Sequence, residues 1–251
     1  MNSHISLIPE EFLLLRKEYL TVLLRKLPVI KAGRRGDKEV FRVYSEDRQH
    51  YKEVTHKNRE WNKYVELHNK RSRIERSLKH TEHLYKHVSR HQSRNYTVKT
   101  NTDNNLNSSY FDSLIDCSCS INKTKDYNYN GRNYRSRAEM QFATILDEFG
   151  LEFKYDVQIK YGNHECTVDF VIVFREFNRC IFIEYFGRCD DPEYNDDNMS
   201  KLWHAQNNKV YIGRDIFIIS GDINYTPGAD VMRIQVASII AQLSAIYIVE
   251  K

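Results

Sequence analysis

Two acidic side chains stand inside apolar, β-rich runs where a buried strand leaves them no water. Asp169 interrupts Thr167-Val-Asp-Phe-Val-Ile-Val173, and Glu184 interrupts Ile181-Phe-Ile-Glu-Tyr-Phe-Gly187. A charge in such a place is costly unless it is paired or binds a cation. With Arg175-Glu176-Phe177-Asn178 as a hairpin loop, the two acids lie equally far from the loop midpoint. They then face each other across the ladder, on one side, with Cβ atoms ~4.5–5.5 Å apart. Carboxylates that close repel unless they share a proton or a cation. Oxygen-only ligands suit Mg²⁺ or Mn²⁺. The plainer alternative is that both acids cap strand ends and meet solvent.

The flanking residues carry clear helix and strand signals. Ser136-Arg-Ala-Glu139 reads as an N-cap with a capping-box glutamate, opening a helix to Phe149 that Gly150 stops. The runs Glu152–Lys160, Cys166–Phe174 and Cys180–Phe186 read as strands. Asp191 caps the next helix, with Pro192 at its first position and an end near Asn208. A strand at Ile216–Ser220 and an amphipathic helix from Gly228 to Val249 follow. The order α-β-β-β-α-β-α predicts an α/β fold, a mixed sheet with helices on both faces.

The first half reads differently. A helix from about Pro9 to Lys26 ends at Pro28. The basic segment 31–38, punctuated by Gly33 and Gly36, reads as a β-hairpin tip that carries Arg34, Arg35 and Lys38. A long helix over 58–91 follows. Its narrow seam of Trp61, Tyr64, Leu67, Ile74, Leu78, Thr81, Tyr85 and Val88 suits pairing with a second copy, a homo-oligomer. Its other faces are basic, with Arg71, Arg73 and Arg76 among the candidate phosphate contacts. His80, His83, His87 and His91 recur along it as metal-ligand candidates, but no carboxylate or cysteine completes a site. A solvated face is the plainer reading. Residues 93–133, rich in Asn and Ser, read as a linker. The expected organisation is therefore a basic region 1–92, a linker 93–133 and a domain 134–251.

The net charge of +4 hides an asymmetry, because residues 31–99 carry a net of +10 and residues 100–251 a net of −7. A basic part that holds a polyanion beside a part that concentrates carboxylates fits this split. Two ordinary solvated surfaces fit it too. Five cysteines are too few and too odd for a disulfide framework, so a reducing, cytoplasmic location is expected. Cys117 and Cys119 form a CxC with no second close pair for zinc. No run of 18 uncharged apolar residues and no basic start before an apolar core is present, which argues against a membrane span and a secretory signal.

The series Ser136-Arg-Ala-Glu139, Asp169-Phe170, Glu184-Tyr-Phe-Gly187, Lys201 and Gly213-Arg-Asp-Ile-Phe-Ile-Ile219 resembles the PD-(D/E)XK nuclease superfamily. It is most similar to a phage and bacterial group with an E-x-F-G variant motif. The resemblance covers about 115 residues and rests on the order and spacing of short motifs. It implies a restriction-endonuclease-like αβββαβ core and a Mg²⁺- or Mn²⁺-dependent nuclease acting on duplex or branched DNA, with endonuclease action expected. Asp169, Glu184 and the Tyr185 carbonyl would hold the ion, and Glu139 would orient water or a second ion. Arg135 and Arg137 would contact flanking phosphates, and Gly187 would let the substrate backbone approach. Two departures stand out. Val168 replaces the usual proline, and Phe186 occupies the position of the superfamily lysine. Lys201, on a helix face with Asp197, His204 and Asn208, is the natural replacement. The alternatives are a catalytically inactive nucleic-acid-binding or assembly module on the same fold, and an RNA-processing nuclease.

Overall fold

A computed structural model of the chain describes residues 7–45, 48–88, 96–102, 105–117, 126–222 and 224–250. His91 and Cys119 lie outside the described residues. The chain is a mixed α/β protein that divides into two compact units, one of Leu13–His87 and one formed by the remainder.

The Leu13–His87 unit contains most of α1 (Glu10–Arg25), then β1 (Ile30–Arg35), β2 (Lys38–Tyr44), β3 (Tyr51–Thr55) and α2 (Trp61–Val88). The three strands form an antiparallel sheet in the order β1-β2-β3. Arg35 pairs with Lys38 across a two-residue turn, where Gly36 takes φ +61°. That left-handed angle is one glycine adopts without strain. Arg34, Arg35 and Lys38 are exposed at this tip as expected, with Arg35 3.5 Å from Glu53. The third strand was not foreseen.

The first turns of the α2 seam pack on the small sheet. Tyr64 is buried with Ile30, Phe41 and Val54, and Trp61 and Leu67 pack on the same cluster. Ile74 and Thr81 are buried as well. Trp61, Tyr64 and Leu67 thus cover the sheet, because a three-stranded sheet needs a partner for its apolar face. Arg71, expected to meet phosphate, instead donates to the carbonyls of Leu24, Leu27 and Pro28, at the end of α1 and the turn after it, and lies 2.8 Å from Glu75. Arg73 and Arg76 are exposed.

Besides the start of α1, the second unit contains β4 (Tyr96–Val98) and α3 (Ser108–Ser113), then the short hairpin β5 (Tyr127–Tyr129) and β6 (Arg132–Tyr134). Next come α4 (Arg137–Glu148), β7 (Glu152–Tyr161), β8 (His164–Phe174), β9 (Arg179–Phe186), α5 (Pro192–Asn207), β10 (Ile216–Ser220), α6 (Ala229–Tyr247) and β11 (Ile248–Glu250). The central sheet has the order β10-β9-β8-β7. Its first two pairings along the chain are antiparallel hairpins, and β9 with β10 is parallel, a geometry that requires the α5 crossover. Leu202 and Ala205 of α5 pack with Val171, Val173, Cys180 and Phe182 on one face. Phe142 of α4 meets Phe170 on the other at a ring separation of 5.2 Å. The expected caps are present: Ser136 and Glu139 form the capping box, and Asp191 caps α5 ahead of Pro192.

The expected linker is largely part of the fold. β4 pairs with β11, and Leu106 and Phe111 lie in the core under α5. Cys180 N donates to Leu106 O at 3.0 Å, Asn101 N to Phe177 O at 2.8 Å, and Ser108 N to Asn178 Oδ1 at 3.1 Å. Two apolar side chains and a series of backbone bonds suffice to dock a polar segment onto a preformed sheet edge, although such a segment has no periodicity of its own. α6 is long and apolar enough by length and composition to cross a membrane, and here it lays Met232, Val236, Ile240 and Leu243 into the core. Cys166, Cys180 and Cys189 are free thiols.

Candidate active site

The site lies where β8 and β9 part. Their ladder runs from Phe174–Arg179 to Phe170–Ile183 and stops. Asp169 and Glu184 would be the next pair in register, as the hairpin spacing predicts. Glu184, Tyr185 and Phe186 instead continue with β10, while Thr167, Cys166 and Glu165 continue with β7. Such a split leaves backbone groups without ladder partners, and these must be satisfied by side chains. Asp169 Oδ2 accepts from Tyr185 N at 2.7 Å. From α5, Lys201 Nζ donates to the Thr167 carbonyl and stands 2.5 Å from Glu184 Oε1. The two anomalous acids and the helix lysine therefore sit in one wedge.

The start of α4 closes the wedge from the opposite side. Glu139 Oε2 accepts from Ser136 N and Arg135 N, each at 3.1 Å, and from Tyr155 Oη at 2.7 Å. Arg135 is thereby turned inward. Its guanidinium bonds Asp169 Oδ1, lies 3.3 Å from Glu139 Oε1 and 3.5 Å from Asp156 Oδ1, and its Nε donates to Tyr155 Oη at 3.3 Å. A cavity of about 560 Å³ opens beside these groups, lined by Arg135, Glu139, Asp169, Glu184, Tyr194 and Lys201 among others.

The electrostatics follow from crowding acids in a dry wedge. Burial pushes the Glu184 carboxyl up to about 7, with the Lys201 ammonium pulling it down and Asp169 adding to the rise. Burial and then the Asp169 charge also raise Glu139, against the pull of Arg135. Burial lowers Lys201, but the charges of Glu184 and Asp169 outweigh it and hold the ammonium above its ordinary value. Four carboxylates, Glu139, Asp156, Asp169 and Glu184, meet two cations, Arg135 and Lys201. The formal surplus of two negative charges equals the charge of one divalent ion. Burial pushes the neighbouring Cys166 thiol up to about 11, so this cysteine offers no thiolate near neutral pH.

The structure brings Glu139, Asp169, Glu184 and Lys201 together as expected, with two changes of role. The Glu139 carboxylate is engaged by the helix cap, by Tyr155 and by Arg135 rather than turned toward a water. Arg135, expected to face flanking phosphates, is held on the acids, because its own backbone N–H bonds Glu139 and its side chain folds back over the cap. Arg137 is exposed beside a neighbouring cavity of about 620 Å³. Gly187 answers to a local need, since a Cβ there would stand 2.9 Å from the Tyr185 ring. The Tyr185 carbonyl accepts from Tyr194 Oη at 3.3 Å.

Sequence reasoning missed Asp156, Tyr155 and Thr167. Asp156 carried a usable signal. It breaks the apolar texture of its strand as Asp169 does, and counting from the Gly162-Asn163 turn sets it opposite Asp169. Among the described residues, no three His, Cys, Asp or Glu side chains cluster closely enough to hold a metal by themselves; His83 and His87 meet only ring to ring, at 4.7 Å. No family model, no curated protein and no solved structure matches this chain.

Proposed function

We propose that the chain is a Mg²⁺- or Mn²⁺-dependent nuclease that hydrolyses phosphodiester bonds of DNA, an endonuclease with a restriction-endonuclease-like core in residues 134–251. One observation carries this proposal: Asp169 and Glu184 share the wedge between β8 and β9, with Lys201 on Glu184. An oxygen-only donor set with a formal surplus of two negative charges fits a small divalent ion. Such ions take one or two carboxylates and leave their other positions to water and phosphate. Asp169, Glu184 and the Tyr185 carbonyl would hold it.

The bound ion supplies Lewis-acid polarisation of a phosphoryl oxygen and a lowered pKa for water. The chain supplies the rest. Lys201 sets a fixed positive charge beside the acids, where it offsets charge that develops on the phosphoryl group. It stands in for the lysine that Phe186 displaces. Glu139 and Tyr155 fix the start of α4 and hold Arg135 at the wall of the cavity. Exposed Arg34, Arg35, Lys38, Arg73 and Arg76 give salt-sensitive, sequence-independent affinity for the DNA backbone.

A second reading, a nucleic-acid-binding module without catalysis, is favoured by one contact, the Arg135 guanidinium already seated on Asp169. Nicking of supercoiled plasmid decides between them. With Mg²⁺ or Mn²⁺ the wild type cuts, and Asp169→Ala and Glu184→Ala do not. A wild type that leaves plasmid intact with either ion overturns the nuclease assignment. Cutting of labelled RNA duplex but not DNA duplex moves the substrate to RNA.

A further inference from the structure

We propose that Arg135 is an exchangeable resident cation of this site, and that Asp156 is the positioning residue that retains it when a divalent ion takes Asp169. The proposal rests on the metal-dependent assignment above and concerns how the same site is regulated.

The geometry of Asp156 calls for a cause. Its side chain is fully buried, and it takes φ +55° within β7, between the regular pairs Tyr155–Phe170 and Val157–Val168. A non-glycine residue held left-handed carries a backbone cost, and a buried carboxylate adds its own desolvation. An aliphatic residue in ordinary extended geometry would continue the strand without either cost. What the distortion achieves is a second carboxylate within reach of the Arg135 guanidinium, at Nη1 where Asp169 meets Nη2.

The distances describe a cation with one tight partner and two slack ones. Arg135 bonds Asp169 closely, while Asp156 at 3.5 Å and Glu139 at 3.3 Å lie beyond the ~2.7–2.9 Å of a full charge-assisted bond. A divalent ion on Asp169 must displace the guanidinium from that carboxylate. Asp156 and Glu139 can then close on Arg135, which stays at the cavity wall instead of leaving for solvent. The formal charges favour its staying: Glu139, Asp156, Asp169 and Glu184 match Arg135, Lys201 and one divalent ion together. The planar fork matters as well, since its separated nitrogens, Nη1 toward Asp156 and Nη2 toward Asp169, reach two carboxylates set apart, which a single ammonium on a shorter stem spans less well. Released from Asp169, the free N–H groups of Arg135 face the cavity, where a phosphate oxygen can accept from them.

The test reads Mn²⁺ affinity of the full chain without DNA, by the electron paramagnetic resonance signal of free Mn²⁺. Arg135→Gln removes the competitor and is expected to bind Mn²⁺ at least fivefold tighter than wild type. Arg135→Lys, which keeps the charge but has a shorter reach and no separated pair of nitrogens, is expected to fall between them. Asp156→Asn is expected to weaken Mn²⁺ binding at least fivefold in the wild type and less than twofold in the Arg135→Gln background, because its effect passes through the arginine. In the wild type itself, saturating Mg²⁺ is expected to shift the Arg135 side-chain N–H resonance, identified by its loss in Arg135→Lys; this holds even where Arg135→Gln does not fold. Unchanged Mn²⁺ affinity in both Arg135 variants, or an unmoved resonance, overturns the exchange while leaving the metal site in place. Absence of Mn²⁺ binding in wild type and every variant overturns both.

Discussion

Lys201 Nζ stands 2.5 Å from Glu184 Oε1 and donates to the carbonyl of Thr167, so one side chain from α5 spans the gap between two parting strands. The contact does structural and electrostatic work together. It places a charged donor on a β8 carbonyl, and it holds a positive charge against a buried acid whose carboxyl is pushed up to about 7. Strand divergence creates the space, and the lysine keeps that space polar.

Replacing Lys201 with Met leaves Glu184 buried without its cation. Breaking one side of a buried pair costs about 3–5 kcal/mol. That loss is expected at pH 8, where the carboxyl must otherwise ionise, and a smaller loss is expected at pH 5, where it takes up a proton. Urea unfolding of both proteins at the two pH values measures the difference.

The raised Glu184 carboxyl sets the sign of a pH dependence in metal-free protein. The folded state binds this proton more tightly than the unfolded chain, whose ordinary value is 4.5. Stability is therefore greatest below about 4.5 from this group and falls as pH rises to about 7, by roughly 3 kcal/mol. The rise of Glu139 acts in the same direction. Denaturation midpoints with chelator present, from pH 5 to 7.5, are expected to decline for wild type and to flatten in Glu184→Gln.

Tyr155→Phe removes a donor to Glu139 and an acceptor for Arg135 N. Leaving buried polar groups unmade costs about 1–3 kcal/mol. A drop in thermal midpoint is expected, together with faster amide exchange at Arg135 and Ser136. Unchanged exchange at both amides would show that the capping box holds without the tyrosine.

Three arginines of α2 separate by role. Arg71→Ala strips the carbonyls at the end of α1 of a charged donor and is expected to cost about 1–3 kcal/mol. Arg73→Ala with Arg76→Ala is expected to change stability by less than about 0.5 kcal/mol for each exposed site. The same pair is expected to reduce the dependence of log K on log salt in DNA binding by about 2. Chemical denaturation and a salt titration of a labelled duplex read the two effects.

What the sequence by itself determined was local. The capping box at Ser136 and Glu139, the cap and proline that open α5, and the equal spacing of Asp169 and Glu184 about their loop depend on residues close along the chain, so period and spacing carry them. The mixed α/β order followed for the same reason. Tertiary structure alone decided that Arg135 folds onto the acids, that Asp156 joins them, that Lys201 points inward, that Trp61, Tyr64 and Leu67 cover the small sheet and that Leu106 and Phe111 dock on the core. Each of these pairs groups far apart in sequence. Which distant partner a buried charge or an apolar stripe meets is set by how the elements pack, and no local pattern contains that information.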